Sequence, residues 1–425
     1  MALPRRFCLV TSAHVSNNPR LVKEADALLA SGADVRVVSL ATVPALLDVD
    51  RQMAVEHGWR LVHVDGSRMG THQARWIARA ALQVLAARMF DRGLRWRRVA
   101  DMAASRMSRE LASAAAGEPS DVVIGHTLAA LPAAGIAARR RSARLGFDAE
   151  DLHAEEASKG HGDVARRTLA TAVESHWLPR CDYVTASSPG IADELAARYD
   201  IARPQVILNA FPRAMRQRRT SVVDRSSSHP TLYWYSQTIG PDRGIGEALN
   251  AMAGLPFPIE LHLRGEPDAG YAEHLSVRAT ELGLRDRVVI HAPAPAEEMV
   301  AIAAQHDIGL AAEQPVCLNR LLCATNKLFT YLLAGNAIAA TDTPGQRDIL
   351  AASPGAAILY AHGDVDSLRA GLWSMLASPE RLARAREASL KAALSRFSWE
   401  HEAPRLLAYL GGARGGVASS AGADR

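Results

Sequence analysis

The chain is 425 residues long, more than one ordinary domain holds and enough for two or three, so a large buried core is available. Its 48% hydrophobic and 22% charged content exclude a disordered or low-complexity protein. A formal net charge of +4 permits contact with phosphates or acidic surfaces without demanding either.

The four cysteines, Cys8, Cys181, Cys317 and Cys323, are scattered, with no CxxC pair and no histidine cluster beside them. They read as small buried thiols in a reducing compartment. The start MALPRRFCLV is too short and interrupted for a signal peptide, and no uncharged apolar run approaches the ~18 residues a membrane span needs. A cytoplasmic location is expected, with the inner face of a membrane as the other place of work.

In chain order, aliphatic and β-branched runs predict strands at 7–11, 35–40, 61–64, 122–125, 145–147, 183–186 and 206–208. They lack strict alternation, as strands covered on both faces do. Between them lie stretches of helical spacing such as 20–30 and 191–198. Strand-helix-strand repetition implies an α/β fold with a parallel, doubly wound sheet. The first strand runs into the polar loop Thr11-Ser-Ala-His-Val-Ser-Asn-Asn, and Pro19 then opens a helix where proline is tolerated. The dinucleotide fingerprint GxGxxG is absent from this loop.

Residues 68–109 interleave arginines from Arg75 to Arg98 with Trp76, Phe90 and Trp96. That pattern suits a helix lying on anionic lipid, and equally a basic exposed helix over its own domain core. No nucleic-acid module accompanies the arginines. The segment Phe147-Asp-Ala-Glu-Asp-Leu-His-Ala-Glu-Glu156 follows a strand and offers Asp148, Asp151 and His153 as ligand contacts, or else is a solvated acidic loop. His14 and His126 also stand at strand ends, where a satisfied histidine is common.

A polar, basic, serine-rich stretch at 213–230 reads as a linker between domains at 1–212 and 231–395. Strands then recur at 232–235, 259–263, 288–291, 308–311, 337–340 and 357–360. A helix at 396–412 is expected to pack back toward the first domain, and the Gly/Ala/Ser tail at 413–425 to be disordered. Two open sheets of this kind place ligands beyond the carboxyl ends of their strands, in a cleft where the domains face each other.

In the second domain, the loop Tyr235-Ser-Gln-Thr-Ile-Gly-Pro-Asp-Arg-Gly244 has glycines that allow close backbone approach, and Arg243 can fork two hydrogen bonds onto a phosphate. Further on, Thr325 or Asn326 can cap a helix that Gly335 closes. Its first turn presents free N–H groups and the positive dipole end, which suit a diphosphate. Lys327 adds a full positive charge there, unfavourable beside the dipole unless an anion arrives.

Taken together these pieces resemble, in order over residues 6–410, a bacterial GT-B glycosyltransferase of the retaining family-4 group. The matching segments are SNNPRLVKEADALLASGADV, DVVIGHT, VILNAFP, SQTIGPDRGI, ELGLRDRVVIHAPAPAEEM, HDIGLAAE, TNKLFTYLLAGNAIAATDTPGQ, GDVDSL and FSWE. The resemblance implies two Rossmann-like domains facing a cleft and a nucleotide-sugar donor, a UDP- or GDP-sugar, as co-substrate without a further cofactor. It places Arg243 and Lys327 on the donor pyrophosphate, puts Gln237 where the family has an arginine, and sets His126 near the acceptor and donor sugar. Gly240, Thr325 and Asn326 fall in the donor region, and Ser16, Asn17 and Asn18 face the cleft. Asp148, Asp151 and His153 lie on the acceptor or sugar side.

One departure stands out. The family's two glutamates fall at Leu322 and Thr330, leaving Thr330 one hydrogen bond for the ribose and Glu313 to bring a carboxylate from another direction. The triplets Asp48-Val-Asp50 and Asp364-Val-Asp366 resemble a manganese motif of another glycosyltransferase fold. Asp364 reads instead as a turn or helix cap and Asp48 as part of a surface connection, so no metal is expected. The implied function is sugar transfer to a saccharide or lipid-linked acceptor in cell-envelope polysaccharide or glycolipid synthesis. A nucleotide-sugar epimerase and a catalytically weak partner of a polysaccharide-synthesis complex are the alternatives.

Overall fold

The computed structural model describes residues 3–68, 73–156, 161–218, 220 and 229–412. The expected tail at 413–425 and the middle of the expected linker lie outside them. Two compact units emerge: one comprises the chain to Ser187, Ala192–Ile207 and the part from Ala403 onward, the other Ser188–Ile191 and Leu208–Glu402.

Unit one begins with β1 (Arg6–Thr11), α1 (Pro19–Ala30), β2 (Asp34–Ala41), α2 (Leu47–His57) and β3 (Arg60–Asp65). Three helices follow in succession, α3 (Gln73–Asp91), α4 (Arg97–Ala104) and α5 (Ser108–Ala115). Next come β4 (Val122–His126), α6 (Leu131–Arg141), β5 (Arg144–Ala149), α7 (His161–Trp177), β6 (Tyr183–Ala186), α8 (Pro189–Tyr199) and β7 (Gln205–Val206). The strands form one parallel sheet in the order β3-β2-β1-β4-β5-β6-β7. Helices cover both faces, so β4 is buried at every position, which is why its sequence is continuously apolar up to Gly125 and His126. The strand expected at 206–208 is shorter, because its pairing ends at Ala186, the last residue of β6.

Unit two runs through β8 (Thr231–Ile239), α9 (Ile245–Ala253), β9 (Glu260–Pro267), α10 (Tyr271–Glu281), β10 (Val288–His291), α11 (Met299–Ala303) and β11 (Ile308–Ala311). It continues with α12 (Leu318–Leu322), α13 (Asn326–Ala334), β12 (Ala337–Thr341), α14 (Pro344–Ala351), β13 (Ala357–Tyr360), α15 (Val365–Leu376) and α16 (Pro379–Ser395). Its parallel sheet is ordered β10-β9-β8-β11-β12-β13. Leu232, Trp234, Leu261, Leu263, Ile308 and Leu310 form the centre of its core. Gly309 has no side chain because the Tyr331 ring of α13 occupies the space where one would project. β8 extends to Ile239, so Gln237, expected in a loop, lies in the strand, beside a register shift between Tyr235 and Thr238.

The last helix, α17 (Trp399–Gly412), starts in unit two and ends in unit one. There Tyr409 meets Tyr183 edge-on at 5.9 Å, and Arg144 Nη2 donates to the Leu410 carbonyl at 3.3 Å. Among the described residues no helix is long and apolar enough to cross a membrane.

Candidate functional site

In a doubly wound sheet ligands gather beyond the carboxyl ends of the strands where the strand order reverses. In unit two that point lies between β8 and β11. The segment leaving β8 reaches the end of β11 because of Gly244, which holds φ 73° just before α9. A side chain there would collide with Ala312 and crowd Gln314. Gly244→Ala is expected to lower the urea unfolding midpoint by the equivalent of about 1–3 kcal/mol; an unchanged midpoint would show that the two segments are not pressed together.

Arg243 beside it is partly buried. Burial and then the neighbouring Arg320 guanidinium lower its pKa from the ordinary value, the mark of crowded cations. Lys327, in the first turn of α13, donates to Glu313 Oε1 at 2.7 Å and lies 5.6 Å from the Trp234 ring centroid. Glu313 is 7% exposed. Burial would raise its pKa, but Lys327, then Arg320 and Arg243, hold it below the usual carboxylate range. Three cations therefore act on one buried carboxylate, while Asp242 and Asp268 also lie near Arg243. Arg320 went unrecognised in the sequence: it sits in the five-residue α12, where LNRLL carries no motif, and its Nη1 donates to the Asp242 carbonyl at 2.9 Å.

Thr325 holds the N-cap position of α13 and Gly335 closes the helix at φ 76°, but the expected side-chain cap is not made. Thr325 Oγ1 is buried with no hydrogen-bond partner among the described residues. Thr343 Oγ1 and Gln346 Oε1, in the segment that follows β12, are in the same condition. Orphaned buried polar atoms at the carboxyl ends of strands are where a ligand would supply the missing bonds. Asn326 is exposed at the helix start, Gln237 is exposed on β8, and Gly240 is buried where a side chain would run into Asp268. Thr330 departs from its expected role. It is fully buried and its hydroxyl already pairs with Tyr235 Oη at 2.7 Å, because it lies on the face of α13 turned to the sheet. Leu322, the last residue of α12, brings no polar group.

In unit one the strand order reverses between β1 and β4. His126 ends β4 and is 1% exposed, with Nε2 3.0 Å from Glu24 and Nδ1 3.4 Å from Asp148. Burial alone would lower its pKa; the Glu24 and Asp148 carboxylates outweigh this and push it up to about 9. Arg20 forks Asp148 through Nε at 2.6 Å and Nη2 at 2.8 Å, and the Thr185 hydroxyl donates to Asp148 at 2.6 Å. Although burial works the other way, Arg20 and His126 hold Asp148 well below the usual carboxylate range. His126 and Asp148, expected to touch sugar or acceptor, are thus enclosed in an ion group with Arg20 and Glu24, since none of these could be buried unpaired. The ligand atoms of Glu24, His126 and Asp148 lie within 4.8 Å of one another, a spacing a metal could use. Arg20 and the protonated imidazole already balance the two carboxylates, so a dication would have to displace a guanidinium.

The loop after β1 is fixed from below. Asp50, the second acid of the first Asp-x-Asp, is fully buried and accepts from His14 Nδ1 at 2.8 Å, Val15 N at 3.3 Å and Ser16 N at 2.9 Å. His14 Nε2 accepts from Thr42 N and Val43 N, both at 2.9 Å, which leaves the ring proton on Nδ1. Asp48 has the surface position expected of it, whereas Asp50, the other acid of the triplet, is fully buried. Asn18 is buried as the cap of α1, accepting from Leu21 N at 3.0 Å, whereas Asn17 is exposed and Ser16 half-buried. Thr127, which leaves β4, holds φ 79°, rare for a β-branched residue, and its hydroxyl lies 2.8 Å from that of Ser12.

His153 pairs with Glu156 at 2.5 Å; burial opposes its charge, but Glu156 prevails and raises its pKa to about 9. Asp151 is half-buried. Asp364 caps α15, accepting from Ser367 N at 3.0 Å, the turn role expected of it.

Two successive doubly wound units with these strand orders and carboxyl-end sites define a GT-B fold. The fold is similar to that of HepE from Anabaena in complex with UDP and glucose, at TM-score 0.67 and 14% identity over 96% of this chain and 99% of that one. It is also similar to a sucrose-phosphate synthase from Thermosynechococcus elongatus, at 0.66 and 15% over 95% and 97% of the two chains. A Listeria monocytogenes protein assigned as a UDP-N-acetylglucosamine 2-epimerase aligns at 0.58 and 13%, covering 96% of each. No protein-family model matches the sequence, and no curated protein matches it.

Proposed function

We propose that the chain is a glycosyltransferase whose second unit binds the diphosphate of a nucleotide sugar and passes the sugar to a saccharide or lipid-linked acceptor in cell-envelope synthesis. The observation that carries this is the convergence of Arg243, Arg320 and Lys327 on one buried carboxylate at the β8–β11 reversal, beside the start of α13. Such a cluster of cations at a helix N-terminus favours a diphosphate. HepE was solved with UDP and glucose and with UDP-glucose, which supports the same reading.

In the proposed reaction the bond between the sugar's anomeric carbon and the phosphate oxygen breaks, and an acceptor hydroxyl oxygen bonds to that carbon on the same face. The acceptor proton passes to the departing phosphate. Charge builds on that phosphate, where Arg243, Lys327 and the α13 N–H groups would stabilise it without a metal. Thr325, Gln237 and Gly240 would border the donor, and Glu313 would hold Lys327 in place. In unit one, the Arg20–Glu24–His126–Asp148 group would fix the strand ends around which Ser16, Asn17 and the 148–153 segment meet sugar or acceptor. The chain would work in the cytoplasm, at the membrane where its acceptor is lipid-linked; the exposed apolar residues of α3 support that location.

Leu322 and Thr330 favour one rival. With no acid at either place and Thr330 tied to Tyr235, the chain could bind a nucleotide sugar without turning it over. A panel of UDP- and GDP-sugars, with binding followed by calorimetry and free-nucleotide release by mass spectrometry, separates the two. Binding with release is expected; binding without release for every donor and acceptor supports the partner reading, and no binding at all removes both.

A further inference from the structure

A cavity of about 790 Å³ opens on another part of unit one, bounded by α3, α4, α5 and α6. Seven arginines line it, against one carboxylate, Asp101. Arg79 is neutralised by Glu110 at 2.6 Å, and Arg106 lies over the Trp76 ring at 4.4 Å while donating to Gln83. The other five, Arg97, Arg98, Arg109, Arg139 and Arg140, form no ion pair among the described residues. Asp101 does not balance them: it accepts from Trp177 Nε1 at 2.9 Å, and burial raises its pKa. Arg97 and Arg139 both lie over the Trp177 ring, at 5.9 and 5.8 Å, so an aromatic floor holds two like charges close together.

The neighbours register this crowding. Burial and then Arg97 lower Arg139 from its ordinary value. Burial followed by Arg180, Arg97 and Arg139 brings His176 down to about 4. Like charges packed this way repel unless an anion joins them, and guanidinium forks match phosphate oxygens in pairs. From α3 the exposed Leu82 joins the lining. A cavity lined by unpaired guanidinium groups is the arrangement that receives a phosphate-dense group.

We propose that this cavity binds a phosphate-dense anion carrying two or more negative charges, a diphosphate or a phosphorylated headgroup, at a site in unit one independent of the nucleotide site in unit two. Inorganic pyrophosphate, titrated calorimetrically into the full chain, tests it. Arg243→Ala should retain this binding. Arg139→Gln with Arg140→Gln should weaken it by about tenfold or more, more steeply at low salt, while UDP affinity stays unchanged. Arg98→Gln with Arg109→Gln, at exposed positions, gives the same readout should the first pair fail to fold by circular dichroism. Flotation with phosphatidylcholine vesicles, with and without phosphatidic acid, separates the sources. Acid-dependent flotation lost in the same variants identifies a lipid headgroup, whereas pyrophosphate binding without flotation identifies a soluble anion. If neither probe depends on these arginines, the cavity is not an anion site. UDP binding lost with Arg243 but not with Arg139 and Arg140 keeps this outcome separate from that of the donor reading.

Discussion

Arg243→Ala is expected to weaken binding of UDP or GDP by about 10- to 100-fold, since a charge-assisted hydrogen bond to phosphate is worth roughly 1.5–3 kcal/mol. The side chain takes part in no ion pair among the described residues, so its removal strands no partner and the fold should hold. Lys327→Ala is a different experiment. It removes the 2.7 Å partner of buried Glu313, and an uncompensated buried carboxylate costs about 3–5 kcal/mol of stability, less whatever Arg320 and Arg243 offset. The double variant Lys327→Ala, Glu313→Gln should therefore regain much of the stability without regaining nucleotide affinity. Calorimetry and urea unfolding on the four proteins separate the two effects. Unchanged nucleotide affinity in Arg243→Ala would place the diphosphate elsewhere.

The second large effect is a pH dependence of stability arising in unit one. His126 is pushed up to about 9 in the fold, against an ordinary value of 6.5 for a free imidazole. The folded state holds the proton more tightly than the unfolded chain, so the stabilisation is complete below about pH 6.5 and is lost as pH rises through about 9. Two to three pH units correspond to an order of 3 kcal/mol. His153, raised to about 9 as well, contributes a loss in the same window. Wild-type protein should unfold at lower urea at pH 9.5 than at pH 6.5, and His126→Asn should show the smaller fall of the two while being less stable at the lower pH. Equal pH slopes in both would mean that His126 is not charged inside the fold. Asp148, held below the carboxylate range, acts at the opposite end: its contribution is present at neutral pH and fades only in strong acid.

Much of the candidate site in the second unit was legible locally. Arg243 follows an apolar strand run and precedes Gly244, and Lys327 stands between a cap position and a helix closed by Gly335. Arg320 was not legible, because nothing in a five-residue helix marks a side chain that folds back to Asp242. Thr330 misled for a related reason: helical spacing assigns it a face, but only the position of β8 shows that Tyr235 waits there. In unit one the partners are further apart in the chain. Arg20 meets Asp148 across 128 positions and His14 meets Asp50 across 36, so neither pairing shows in the local sequence and Asp148 read as a ligand contact.

By itself the sequence determined the two α/β units, the run of strands and helices, and the loops and helix start that carry Arg243 and Lys327. Those features come from short-range periodicity, glycine and proline geometry, and helix-end electrostatics, all of which act within a few residues. Only the tertiary structure decided which polar residues are offered to a ligand and which hold one another. Parallel pairing of β1 with β4 and of β8 with β11 joins segments far apart in the chain, and burial then forces every charge between them to find a partner.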